Sequence, residues 1–273
     1  MKKILLKPKK SLGQNFILSS EITKRIVDSA GDLENFNVIE IGPGYGALTS
    51  EILARNPKFL LAIEKDSNLV RHHDQFLNEH QEKYRIIEAD ALHIIEEELI
   101  EPPVKVIANL PYNISVALFL KWLNNIKFFT SLTLMFQKEV ADRIIAKPNP
   151  KDYGSLSVLS QLLCDIKKEF DLEPKDFFPR PKVHSSVITV NPLSIQRFPV
   201  NLEALTRLTR TVFAQRRKML RNSLKSIVNN TETVLEKAEL TGNERPENLT
   251  IEQFCLLASI VLSKANDNCI MTI

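Results

Sequence analysis

Asn37-Val38-Ile39-Glu40-Ile41-Gly42-Pro43-Gly44-Tyr45-Gly46-Ala47 decides the architecture of this chain. A run rich in β-branched residues stops at three closely spaced glycines, and helical periodicity begins at Ala47. A strand, a tight turn and a helix therefore follow one another. The alternation continues to about residue 140. Strands are expected at Asn37–Ile41, Phe59–Ile63, Tyr84–Glu88, Val104–Ala108 and Leu132–Phe136, with helices near Ala47–Ala54, Leu69–Asn78, Ser115–Leu123 and Lys138–Ala146. Strands alternating with helices make a parallel sheet covered on both faces, the doubly wound, Rossmann-like α/β class, in which ligands gather at the strand C-termini.

Before this core, Ser19 and Ser20 suit the cap of a helix carrying Ile22, Ile26 and Val27 on one face. After it, Ser155–Cys164 reads as a helix, and Asp165–Leu172 and Ser186–Val190 as strands divided by the Pro-rich loop Glu173–Lys182. Strand patterning stops at Asn191-Pro192. The segments around Leu202–Phe213, Met219–Val228, Val234–Ala238 and Ile251–Leu262 are helical in pattern, so residues 1–192 are expected to form the α/β domain and 193–273 a smaller all-α domain.

The 273 residues are 44% hydrophobic, enough for a substantial core. Cys164, Cys255 and Cys269 are odd in number and lack paired spacing, which argues against a disulfide framework or a zinc site. No metal is expected. The apolar start Ile4-Leu5-Leu6 is cut off by Lys7, Lys9 and Lys10, too short for a signal peptide, and no run reaches the length of a membrane span. A cytoplasmic, monomeric protein is the expectation. The net charge of +3 is unevenly distributed: residues 193–273 hold 11 Lys and Arg against 8 Asp and Glu, leaving 25 against 25 for the rest. Arg207, Arg210, Arg216, Arg217, Lys218, Arg221 and Lys225 occur with no acid between Glu203 and Glu232.

The glycine turn is suited to close approach of backbone to a ligand, and Glu64, 22 residues after Gly42 at the end of the next strand, is placed to accept from ribose hydroxyls. Asp90, two residues past the third strand, is placed to accept from an adenine amino group. Gly42-x-Gly44-x-x-Ala47 also satisfies a dinucleotide fingerprint, so the glycines alone leave a nicotinamide-dependent dehydrogenase open. Gly46 directly before the helix, and the sequence after the fourth strand, favour S-adenosylmethionine. A Walker loop is excluded, because no Gly-Lys-Ser/Thr is present.

Asn109-Leu110-Pro111-Tyr112 follows the apolar run Val104–Ala108. The stretch supplies what chemistry on an exocyclic amine requires. The amino nitrogen of adenine has its lone pair delocalised into the ring and must be rehybridised before it attacks an electrophile. An Asn side-chain oxygen and the Leu110 carbonyl, accepting from its two N–H bonds, would favour that tetrahedral nitrogen in the transition state. Pro111 biases Leu110 toward an extended conformation, which lets the carbonyl point out of the strand end. Tyr112 offers a ring for stacking on a base. Read alone, the same four residues also suit an ordinary turn with Tyr112 covering the core. Phe177 and Phe178, by residue type alone, suit core or loop anchors.

With these motifs assembled, the chain closely resembles the ribosomal RNA adenine N6,N6-dimethyltransferases. The likeness spans nearly the whole length: Ser11-Leu12-Gly13-Gln14-Asn15-Phe16, Glu40 to Gly46, Asn109 to Ser115, Gln137-Lys138-Glu139-Val140, Tyr153-Gly154-x-Leu156-Ser157 and Phe177-x-Pro179-x-Pro181-Lys182-Val183. The resemblance implies S-adenosylmethionine as cofactor, S-adenosylhomocysteine as product, and cofactor contacts from Asn15, Ile17, Gly42, Glu64, Asp90 and Asn109, with Gly44 and Gly46 completing the loop. Ile17 departs from the Leu more usual there, a swap close to volume-conserving. It further implies that Tyr112 and Phe177 hold a target adenine taken out of its stack, and that the substrate is two neighbouring adenosines near the 3′ end of small-subunit ribosomal RNA, within a ribosomal subunit precursor.

The basic segment Phe213 to Lys218 is similar to the part of that family serving RNA recognition, so Arg216, Arg217, Lys218 and Arg221 are RNA-binding candidates, with Lys7, Lys9, Lys10 and Arg143 as secondary ones. A large-subunit adenine methyltransferase of the resistance type shares Asn15, the glycine loop and Asn-x-Pro-Tyr. Pro181-Lys182 and Arg216-Arg217-Lys218 favour the small-subunit reading. A ribosome-assembly or nucleic-acid-binding factor on the same scaffold is a further alternative. His72 and His73, in a charged helical stretch, are expected at the surface, and His184 is expected to be structural.

Overall fold

The structure, a computed structural model, describes residues 8, 9 and 12–270, with the side chains of the last helix described through residue 262. A two-residue strand β1 (Phe16–Ile17) precedes helix α1 (Ser20–Ser29), which is capped by the Ser19 hydroxyl accepting from the Ile22 N–H. The core then runs β2 (Asn37–Ile41), α2 (Ala47–Leu53), β3 (Phe59–Glu64), α3 (Ser67–His72), α4 (Asp74–Glu79), β4 (Tyr84–Glu88), β5 (Val104–Asn109), α5 (Ser115–Asn124), β6 (Phe129–Gln137) and α6 (Lys138–Ile145). Next come α7 (Ser155–Leu163), β7 (Cys164–Leu172), the short β8 (Phe177–Phe178) and β9 (Ser185–Pro192). Four helices follow: α8 (Leu202–Ala214), α9 (Leu220–Leu224), α10 (Thr231–Lys237) and α11 (Ile251–Ile270).

Seven strands form one sheet in the order β4-β3-β2-β5-β6-β9-β7. Pairing is parallel from β4 through β6 and antiparallel between β6 and β9. The central β2 is buried along its whole length, and β3 and β5 nearly so. A sheet covered by helices on both faces buries its central strands in this way. The winding runs outward from β2 to β3 and β4, then resumes at β5 on the other side of β2. The carboxyl ends of β2 and β5 therefore flank the point where the order reverses, the usual place for a ligand in a sheet of this kind. This is the doubly wound α/β architecture expected.

The chain divides into two compact units: residues through Ala141 together with Asp165–Pro192, and Asp142–Cys164 together with the residues from Leu193 onward. One break falls at residue 192, but residues 142–164 group with the helical unit, where the α/β domain was expected to include them. Burial explains the difference. Helix α7 buries Leu156, Ser157, Val158, Leu159, Ser160, Leu162 and Leu163, so it is apolar on most of its surface and needs a helical partner. It packs on α8, with Ser155 and Thr209 hydroxyls 2.8 Å apart, and α8 in turn packs on α11, with the rings of Phe213 and Phe254 5.4 Å apart. Helix α9 is shorter than the expected Met219–Val228.

Two sequence expectations are corrected within the α/β unit. The single helix over Leu69–Asn78 is two helices that meet at His73, and His73 is not at the surface but 0% exposed. Its ring turns inward, with Nδ1 2.6 Å from the Tyr84 hydroxyl and Nε2 3.0 Å from the Gly44 carbonyl oxygen. A carbonyl only accepts, so Nε2 carries the proton and Nδ1 accepts from Tyr84. Burial pushes the His73 pKa down to about 4, so the ring is neutral at physiological pH.

Glu40, the penultimate residue of β2, is 1% exposed; its Oε2 accepts from Thr49 of α2 at 2.7 Å, while Oε1 has no hydrogen-bond partner among the described residues. Burial pushes its pKa up to about 8 from an ordinary 4.5. The unfolded chain ionises this carboxyl first, so Glu40 lowers stability progressively as pH rises from 4.5 to about 8. His73 acts in the opposite sense between about 4 and its ordinary 6.5. Glu40 is therefore best isolated above about pH 6.5, where it costs up to about 1.4 kcal/mol per pH unit. Denaturant titrations of the wild type should show stability falling toward about pH 8, and Glu40→Gln should flatten that slope; an equal slope in both proteins would exclude a neutral buried Glu40.

Candidate active site

A cleft opens at the carboxyl ends of β2, β3 and β5. Its lining includes Gln14, Asn15, Phe16, Gly42, Gly44, Glu64, Lys65, Asp90, Asn109 and Leu110, with Ile41, Ile63 and Pro111 as apolar walls. Of the residues singled out in the sequence, Asn15, Gly42, Gly44, Glu64, Asp90, Asn109 and Leu110 share this one cleft. Ile17, Gly46, Tyr112 and Phe177 are not among its lining residues.

The glycine loop leaves β2 with Gly42, Gly44 and Gly46 all at positive φ. At Gly44 a side chain would also meet the Phe16 ring, 2.8 Å from an added Cβ, and at Gly46 it would strike the Phe76 ring. Neither position accepts a larger residue. The loop is gripped by side chains from β3 and from the junction of α3 and α4. Glu64 Oε1 accepts from the Asp66 N–H at 2.8 Å and Oε2 from the Gly44 N–H at 3.4 Å, while His73 donates to the Gly44 carbonyl. Burial raises the Glu64 pKa, and the backbone N–H groups it accepts from work against that rise.

Asn109 is the last residue of β5. Its Nδ2 donates to the Asn15 backbone carbonyl at 2.8 Å. Because that carbonyl can only accept, the amide nitrogen must face it, and the side-chain oxygen Oδ1 is left as the acceptor. Asn15 in turn donates through its own side chain to the Gly13 carbonyl at 3.0 Å. Beyond Asn109 the chain turns: the Ile114 N–H donates to the Pro111 carbonyl at 3.1 Å, so the hydrogen bond of this turn uses the Pro111 oxygen and not that of Leu110. The Tyr112 hydroxyl lies 2.6 Å from Ser185 Oγ at the start of β9, and burial raises its pKa.

The segment carrying Asn15 is held by contacts that sequence patterning did not reveal. Strand β1 pairs antiparallel with β8, Phe16 opposite Phe178 and Ile17 opposite Phe177. On the other side, Lys9 Nζ and Gln14 Nε2 donate to the Asp66 carboxylate at 2.7 and 3.1 Å. Asp66 also caps α3. Lys9, an RNA-binding candidate, is thus tied to a buried carboxylate here.

Phe177 is 1% exposed and belongs to the apolar cluster of Ile17, Ile26, Val27 and Leu172, whereas Phe178 is 44% exposed. Burial of this kind fits Phe177 as a core residue. Asp90 binds Lys65 Nζ and the Leu92 N–H through its two oxygens, and Lys65 holds its carboxyl below the usual range. Arg216, Arg217 and Lys218 lie in the turn between α8 and α9 and not on a helix face. Arg216 pairs with Glu247 at 3.1 Å and Arg221 donates to the Thr241 carbonyl at 2.9 Å, while Arg217, Lys218 and Arg143 are exposed. Lys7 and Lys10 lie outside the described residues.

Residues 5–262 match the family described as ribosomal RNA adenine dimethylase. The chain is 84% identical over 261 residues to the ribosomal RNA small subunit methyltransferase A of Wolbachia sp. subsp. Drosophila simulans (strain wRi), covering 96% of each. Its fold is similar to that of a dimethyladenosine transferase from Plasmodium falciparum, with a TM-score of 0.78 at 24% identity, covering 93% of this chain and 98% of that one. It is also similar to that of the 23S rRNA methyltransferase ErmE, with a TM-score of 0.68 at 22% identity over 90% and 99% of the two chains. A match of such extent, on a chain whose glycine loop, Glu64 and Asn109 meet at one cleft, places it in a family: the protein belongs to the ribosomal RNA adenine dimethylases.

Proposed function

We propose that the protein transfers methyl groups from S-adenosylmethionine to N6 of adenosines in small-subunit ribosomal RNA, two to each base. The observation that carries this reading is the fixed orientation of Asn109, whose Oδ1 is the end of the amide left for a substrate in a cleft lined by the glycine loop. The lining suits the cofactor. The backbone at Gly44 approaches without a side chain in the way, and Glu64 and Asp90 retain acceptor lone pairs for hydroxyl and amino groups. S-adenosylmethionine, when bound, supplies a methyl group on a sulfonium and leaves as S-adenosylhomocysteine.

The residues of the chain do the rest by position. Asn109 Oδ1 and the Leu110 carbonyl accept the two N–H bonds of the target amine, drawing its nitrogen toward the tetrahedral geometry in which the lone pair attacks. This stabilisation is stronger in the transition state than in the planar ground state. The amine loses its proton after the new bond forms, so no residue has to act as a strong base beforehand. Tyr112, anchored by Ser185, presents its ring to the base as a stacking surface. Phe177 is buried in β8, paired with Ile17 of β1. Exposed Arg217, Lys218 and Arg143 of the helical unit contact RNA phosphates, and the helical unit acts as the RNA-recognition part of the chain.

Methyl transfer to unmethylated small ribosomal subunits, with large subunits in parallel and nucleosides analysed after digestion, tests the reading directly. N6,N6-dimethyladenosine from the small subunit alone is the expected result. Label from the large subunit would instead support the alternative substrate, and no label from either would overturn the assignment. Asn109→Ala should lower turnover by about 10²-fold with little change in stability, the size seen when one preorganised transition-state hydrogen bond is removed. Near-normal turnover would remove Asn109 from the chemistry. Charge reversal at Arg217 and Lys218 should reduce the log-log salt dependence of RNA binding by about 0.7 to 0.9 for each phosphate no longer neutralised; an unchanged slope would put the RNA footprint elsewhere.

A further inference from the structure

Three glycines within five residues make the loop after β2 the part of the cleft with the most backbone freedom. A ligand that needs one loop conformation must restrict this freedom on binding unless the protein has restricted it already. Two side chains hold the Gly44 peptide groups. The contact to its N–H, from Glu64, is long at 3.4 Å. The contact to its carbonyl, from His73, is 3.0 Å, and it is backed by the 2.6 Å bond from Tyr84 of β4. His73 is not among the lining residues of the cleft and is fully buried, and it sits at the junction of α3 and α4 with its ring on the loop.

We infer that His73 and Tyr84 are positioning residues for the cofactor: Tyr84 fixes the imidazole with its proton on Nε2, and His73 holds the Gly44 carbonyl so that the glycine loop is set before the ligand arrives. The relay starts at Tyr84 of β4, passes through the junction of α3 and α4 and ends on the loop, away from the reacting groups. Its effect falls on cofactor affinity, because it acts on the free energy of ordering the loop. Acceptance of the target amine by Asn109, on the other side of the cleft, is unaffected. The inference rests on the reading of the cleft as an S-adenosylmethionine site.

The test compares full-length wild type with His73→Phe, His73→Gln and Tyr84→Phe. His73→Phe should raise the Kd for S-adenosylmethionine about tenfold, the effect of removing one buried hydrogen bond, with kcat at saturating cofactor and KM for RNA within about twofold. His73→Gln keeps an N–H donor and should recover most of the affinity. Tyr84→Phe, nearly isosteric, should fall between wild type and His73→Phe, and it carries the comparison if His73→Phe does not fold. Without ligand, amide hydrogen exchange at Gly44, Tyr45 and Gly46 should quicken in His73→Phe and Tyr84→Phe while β2 stays protected. Unchanged loop exchange overturns the inference, as does a Gln variant no better than Phe, or an equal rise in KM for RNA. Wild-type protein that binds no S-adenosylmethionine would instead sink the cofactor assignment, with the exchange measurement still deciding whether the relay holds the loop.

Discussion

Parallel pairing imposes one constraint from which the site follows. Strands β2 to β6 run in the same direction, so their carboxyl ends lie along one edge of the sheet, and the winding reverses between β2 and β5. Loops after neighbouring strands on opposite sides of a reversal diverge to opposite faces and leave a crevice between them. The glycine loop forms one wall of that crevice, and Asn109 with its Pro-bounded turn forms the other. A ligand bound to the first is thereby brought to the residues of the second without any dedicated connecting element.

Within that crevice, orientation comes from acceptor-only groups. A backbone carbonyl cannot donate, so the Asn15 carbonyl dictates which end of the Asn109 amide faces it, and the Gly44 carbonyl dictates which nitrogen of His73 carries the proton. Both assignments follow from chemistry and not from a choice between equivalent rotamers. The two carbonyls sit on segments held by different parts of the sheet. Asn15 is held through the β1–β8 ribbon and the Lys9–Asp66 pair, and Gly44 through β3 and β4. The site is therefore rigid where it must present an acceptor, although much of its surface is loop.

Buried polar groups around the glycine loop are arranged to stay neutral. His73 is held unprotonated and the Glu40 carboxyl protonated by the same cause, the cost of placing charge away from water. Neutral His73 holds the Gly44 carbonyl through a hydrogen bond without that cost, and at the cleft edge the Asp90 carboxylate is paired with Lys65.

The sheet was legible because its signals are local. Strand β2 and strand β4 occupy the residues expected from apolar runs, and the Asn109 turn is announced by Pro111, whose ring restricts its own and the preceding residue whatever surrounds them. The glycines could be read for the same reason: a positive φ is a property of one residue. Long-range pairing left no such trace. Two residues, Phe16-Ile17, are too few to show a strand period, and they form β1 only because Phe177-Phe178, some 160 residues away, lies beside them. That pairing also buries Phe177 and exposes Phe178, which identical side chains gave no means to distinguish. His73 looked like a surface residue among charged neighbours, and its burial depends on Tyr84 and Gly44 arriving from elsewhere in the sheet. Arg216, Arg217 and Lys218 read as one basic run, and only packing separates the Arg216 that pairs with Glu247 from the two left exposed. The main strands of the sheet, their order and the chemical groups at their carboxyl ends could be read from the chain, since these depend on near neighbours in it. Which of those groups are buried, paired or free was decided by tertiary structure alone, because hydrogen bonds and burial depend on residues that the fold, and not the chain, makes neighbours.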